Sequence, residues 1–113
     1  MGTAERRHGN RVTFSHAVDY FCWDRPKKAQ ALEISAEGIF LRTDEVLPEG
    51  SMVTLRLRLP GAPRAFTVLG RVARVVLGGI THHSGMGIRF LDITPADRDR
   101  IAQYVSQRPE LLS

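Results

Sequence analysis

The chain has 113 residues, 42% of them hydrophobic and 25% charged, with a formal net charge of +4. That length allows one domain with a single small core, and the composition excludes intrinsic disorder. No run approaches the ~20 apolar residues of a membrane span, and the charged start MGTAERRHGN lacks the apolar core of a signal peptide, so a cytoplasmic protein without membrane insertion is expected.

Residues 1–10 show no hydrophobic period and read as a flexible N-terminal arm, with 11–113 as the folded body. Val12, Phe14, Val18 and Tyr20 then alternate as in a half-buried strand, with His16 on the same face as a packing residue. A turn is expected at Asp24-Arg25-Pro26, because Pro26 cannot donate to a ladder. Cys22 is the single cysteine, so no internal disulfide can form, and it reads as a small packed hydrophobe.

A second strand is expected over Ala29–Ile34, with Ala31 and Glu33 on one face. A tight connection follows from Ser35 to Gly38, where Gly38 can take a positive φ at little cost. Ile39–Thr43 forms a third, short strand before a loop containing Pro48 and Gly50. In SMVTLRLRL, Val53, Leu55, Leu57 and Leu59 alternate with Thr54, Arg56 and Arg58, the pattern of a strand with one buried face. Phe66, Val68 and Val72 share one parity and Val75 and Leu77 the other, which predicts a bulge near Gly70–Arg74. Met86, Ile88 and Phe90 mark the last strand.

The period then changes from 2 to about 3.6. Thr94 as N-cap, Pro95 in the first turn and the stripe Ile101, Tyr104, Val105 predict a helix over about 94–107, stopped by Pro109 and followed by a short tail. The expected fold is all-β: a six-stranded antiparallel Greek-key barrel with a C-terminal α-helix.

Chemistry concentrates in two motifs. Arg7 and Arg11 frame R-x-x-x-R, preceded by Arg6; Glu33, Ser35 and Gly38 frame E-x-S-x-x-G. Guanidinium groups pair bidentately with phosphates or with the O6/N7 edge of guanine, and they stack on purines. A carboxylate accepts from the guanine N1 and N2 donors, the edge that arginine does not read, and a serine hydroxyl donates to phosphate or base. Glycine removes a Cβ where a ligand approaches the backbone. Each motif alone is also the pattern of a solvated basic tail or of an ordinary turn. No catalytic set emerges. His82 and His83 are adjacent, so in a strand they face opposite ways, and Ser84 lacks an oriented base. Asp97 and Asp99 read as helix-surface charges, and the cluster Arg25, Lys27, Lys28 as a solvated hairpin loop.

The order of the two motifs, the hydrophobic run Gly38-Ile39-Phe40-Leu41, the segment Gly85-Met86-Gly87-Ile88-Arg89-Phe90 and the closing helix together resemble the PilZ domain, a bacterial receptor domain for cyclic diguanylate. The resemblance spans about residues 5–106. It implies a non-enzymatic, second-messenger-binding barrel without a cofactor, whose ligand is cyclic diguanylate. It assigns Arg7 and Arg11 to guanine and phosphate, and Ser35 and Gly38 to the base and phosphate side. Arg6 implies an intercalated ligand dimer. Lacking an output domain, such a receptor acts on a downstream protein partner, in motility or polysaccharide control, through ordering of its arm.

Glu33 departs from the family's Asp or Asn. The extra methylene moves the carboxylate by ~1.5 Å and predicts a penalty of ~1–2 kcal/mol, about tenfold, with Glu33→Asp expected to tighten binding. The alternative is a degenerate protein–protein adaptor on the same barrel with weak or no nucleotide binding. Single-stranded nucleic acid is a poorer partner, because most aromatics sit at core parity rather than among exposed basic residues.

Overall fold

The computed structural model describes residues 11–22, 25–80 and 83–107, with the backbone alone for 11–16. Its elements are β1 (Arg11–Cys22), β2 (Arg25–Ser35), β3 (Gly38–Arg42), β4 (Met52–Leu57), β5 (Phe66–Val76), β6 (Gly85–Asp92) and α1 (Pro95–Ser106). All neighbouring strands are antiparallel and close a barrel in the order β1-β2-β3-β6-β5-β4. The connection from β3 to β4 crosses the barrel and joins two meanders, giving the expected all-β barrel with a C-terminal helix. The N-terminal arm, Trp23, Asp24, His82, Pro109 and the tail lie outside the described residues.

The alternating residues fill the interior. Tyr20, Ala31, Leu41, Leu55, Val68 and Met86 are fully buried, with Ile34, Val53 and Val72 beside them. Tyr20 brings a hydroxyl into this core and satisfies it at the rim, through Thr43 Oγ1 (3.2 Å) and the carbonyl of Glu45 (3.0 Å).

Pro26 lies inside β2, opposite Phe21, instead of in a turn. It is tolerated because β2 pairs with β3 only from Gln30 onward, so Pro26 has a single neighbouring strand. The lysines beside it are not simply solvated: Lys27 pairs with Glu45, and Lys28 with Asp19 at 2.9 Å. The expected bulge in β5 is present, with register shifts at Leu69/Gly70 and Val72/Arg74.

Helix α1 begins as its sequence dictates. The side chain of Thr94 accepts from the Asp97 N–H at 3.1 Å, and Ile101 and Val105 enter the core. Asp97 corrects its sequence reading: it is buried and bonded to Arg100 at 2.5 Å. Thr94→Ala removes the cap and should cost ~1 kcal/mol, a fall of ~5 °C in thermal midpoint, read by circular dichroism.

Candidate functional site

A bulge in β2 makes the site. Ala31 pairs with Leu41 and Glu33 with Phe40, so Leu32 is the extra residue on β2. Alternation therefore changes phase there. Ala31 and Ile34 both point into the barrel, and Glu33 and Ser35 face outward. The expectation that Ala31 and Glu33 share a face is thus overturned, and the signature carboxylate joins Ser35 on the outer surface. Periodicity in a single strand could not reveal a phase change that the pairing with β3 imposes.

The register of β1 and β2 then brings the two motifs together. Arg11 lies opposite Ser35, and Thr13 opposite Glu33. Directly opposed residues have Cβ atoms about 5 Å apart, so the backbone places the second motif arginine beside the motif serine. Arg6 and Arg7 fall outside the described residues.

Ser35 Oγ accepts the Glu37 N–H at 3.2 Å, which fixes the turn and leaves the hydroxyl proton able to donate outward. The same turn is tied to the rest of the body. The carbonyl of Glu37 accepts from Phe90 N at 2.9 Å, and that of Ala36 from Arg98 Nη1 of α1 at 3.3 Å.

Gly38 has a reason different from the expected one. Positive φ among the described glycines belongs to Gly50 and Gly61. At Gly38 an added Cβ would lie 2.4 Å from the carbonyl oxygen of Ile88, so glycine is required for the close approach of β3 to β6. Its place in the motif is set by barrel closure, whatever else it does for a ligand.

The outer face continues past the motifs. Gly38 lies opposite Arg89, Arg89 opposite Arg71, and Arg71 opposite Met52. Arg71 and Arg89 are exposed and have no ion-pair partner among the described residues. Like charges directly opposed on a sheet are mildly destabilising, and here they give the face a positive potential. The sequence showed these arginines singly; only the register shows them as neighbours of the motif.

A separate open depression of about 590 Å³ lies at the other end of β2, lined by Lys27, Lys28, Arg42, Thr43, Glu45 and His83 among others. It contains none of the motif residues, and its two lysines are engaged by carboxylates.

Residues 5–107 match the family model of the PilZ domain. This chain belongs to the PilZ domain family. The fold agrees with solved PilZ structures. The inhibitor of motility MotI/DgrA of Bacillus subtilis superposes with a TM-score of 0.81 at 20% identity, over 95% of this chain and 53% of that one. The PilZ domain of Escherichia coli YcgR, solved with c-di-GMP, gives 0.69 at 14% identity over 94% and 93%. The MrkH–c-di-GMP complex of K. pneumonia gives 0.72 at 15% over 96% and 54%. This chain thus spans about half the length of the Bacillus and MrkH chains. Among curated proteins no sequence matches it. Among the described residues no helix is long and apolar enough to cross a membrane.

Proposed function

We propose that this PilZ domain is a receptor for cyclic diguanylate, with Arg7, Arg11, Glu33, Ser35 and Gly38 forming the site and Arg6 favouring an intercalated ligand dimer. The observation that carries the reading is the β1–β2 register, which sets Arg11 opposite Ser35 on the outer face that also bears Glu33. Membership of the family and the naming of c-di-GMP in two of the similar structures support the ligand class. Guanidinium groups supply phosphate and Hoogsteen-edge contacts, while the carboxylate supplies the Watson–Crick edge. The function is binding, with no reaction catalysed.

The arm 1–10 orders over the nucleotide, and the change is passed to a partner protein. The bonds from Ala36 and Glu37 to α1 and β6 give the turn a mechanical connection to the body, which supports such a relay. Isothermal titration with cyclic diguanylate tests the reading. Saturable heat at micromolar ligand is expected, with about two ligands per chain for the dimer; no heat at tens of micromolar from folded protein overturns it.

Glu33 favours a second reading, an adaptor with lost nucleotide binding. Capture of a partner from lysate to the same extent with and without nucleotide, together with a silent titration, would select it.

A further inference from the structure

Phe40 is a surface aromatic that neither motif contains. It lies directly opposite Glu33 on one side and Gly87 on the other, and Gly87 in turn lies opposite Arg74. Thr13, Glu33, Phe40, Gly87 and Arg74 thus form one continuous row across the sheet. Ile39 and Leu41 on either side of Phe40 are buried, so Phe40 shares the outer face with Glu33.

The glycines of β6 let the ring lie down. A Cβ at Gly85 would meet the carbonyl oxygen of Leu41 and Cε2 and Cζ of Phe40, each at 2.7 Å. A Cβ at Gly87 would meet Arg74 Cγ at 3.4 Å and Phe40 Cδ1 at 3.8 Å. The guanidinium carbon of Arg74 stands 5.5 Å from the ring centroid, within cation–π range but beyond the ~4 Å of a closely stacked contact. It stands over the ring, and as an exposed side chain it can swing aside to admit a base. Among the described residues Arg74 has no carboxylate partner. An exposed cation–π contact stabilises a fold only slightly, and glycine within a strand weakens it. Close approach of β3 to β6 requires glycine at Gly85, but it does not require an aromatic ring at Phe40.

We propose that Phe40, with the Arg74 guanidinium over its ring, is a stacking platform for a guanine base whose Watson–Crick edge is read by Glu33. This rests on the ligand class proposed above and specifies how one base is held. Aromatic rings and guanidinium planes both stack on purines, and they do so at no cost to edge recognition by a neighbouring acceptor. The platform also gives Glu33 a reason. A base resting on Phe40 lies over the β6 glycines, on the side of β3 away from β2, so a carboxylate rooted on β2 needs an extra methylene to reach its edge. Glu33 and Phe40 are a matched pair. The penalty expected for Glu33 from sequence presumes a base lying lower, where aspartate would reach.

The test is a double-variant cycle by titration with cyclic diguanylate, with thermal melts as the folding control. Phe40→Leu keeps apolar contact with the glycines but removes the aromatic face, and it should weaken binding on the order of tenfold. Phe40→Tyr should bind as the unaltered chain does. Arg74→Gln, at an exposed position, should weaken binding several-fold without moving the melt. Glu33→Asp should weaken binding in the unaltered chain and tighten it in the Phe40→Leu background. Unaltered affinity in Phe40→Leu and Arg74→Gln overturns the platform while leaving the receptor reading intact. An equal effect of Glu33→Asp in both backgrounds overturns the matched pair. Absence of binding by the unaltered chain overturns the receptor reading and the platform with it.

Discussion

Arg11→Ala should reduce affinity for cyclic diguanylate by about a hundredfold, with no more than a small change in thermal midpoint. The size follows from the chemistry removed. A charge-assisted hydrogen bond contributes ~1.5–3 kcal/mol, and a guanidinium makes two at once to a phosphate or to a guanine edge. A loss of ~3 kcal/mol corresponds to about a hundredfold in Kd. The melt should hold because Arg11 is the first residue of β1, where the ladder with Ser35 is made by backbone groups that alanine keeps. Arg11→Lys separates charge from geometry. A lysine preserves the positive potential but loses the planar fork, so most of the loss should persist. Full affinity in Arg11→Lys would mean that the position supplies charge only. Arg7→Ala should behave as Arg11→Ala does, since the two arginines are assigned to the same ligand.

The barrel was legible in the sequence because its inner face obeys a period of two over most of each strand. Val53, Leu55 and Leu57 announce β4, and Thr94-Pro95 announces the helix. What single-strand periodicity could not show was pairing. The bulge at Leu32 turns Glu33 outward, yet LEISAEG contains no glycine or proline at that point to announce it. Arg71, Arg74 and Arg89 are distant in sequence from both motifs and reach the same face only through β5–β6 and β3–β6 register. In sequence Phe40 is simply part of a hydrophobic run, because its placement depends on Gly87 opposite it and on Gly85 two residues before that. The motif residues themselves were legible as chemistry: a carboxylate, a hydroxyl and paired guanidiniums suit a guanine nucleotide wherever they meet. That Arg11 and Ser35 are opposed is a fact of register, which the spacing of the motifs allowed but did not require.

Gly38 illustrates how a signature residue can serve the fold first. Gly38→Ala places a methyl group 2.4 Å from the Ile88 carbonyl oxygen and 3.4 Å from Arg89 Cα. Both are backbone atoms of β6, so neither can rotate aside as a flexible side chain would. Relief requires β3 and β6 to separate, and the Gly38–Arg89 and Ile39–Ile88 pairs lie at that point of the barrel seam. Overpacking of this kind costs ~1–3 kcal/mol, and lost ladder bonds add to it, so the thermal midpoint should fall by ~10 °C or more. Gly50→Ala is the contrasting case: nothing lies within 4 Å of its added Cβ, but its φ of 90° disfavours any side chain. That strain costs ~1–2 kcal/mol without displacing a neighbour. The two variants should therefore differ in binding as well as in stability. Gly38→Ala moves β3 and with it Phe40 and the Ser35 turn, so affinity for cyclic diguanylate should fall together with the melt. Gly50→Ala, in the β3–β4 connection, should lower the melt and leave affinity unchanged. Retention of full affinity by a strongly destabilised Gly38→Ala would show that the outer face tolerates a shift of the seam, and would place the ligand's contacts on the arm, β1 and β2 rather than on β3.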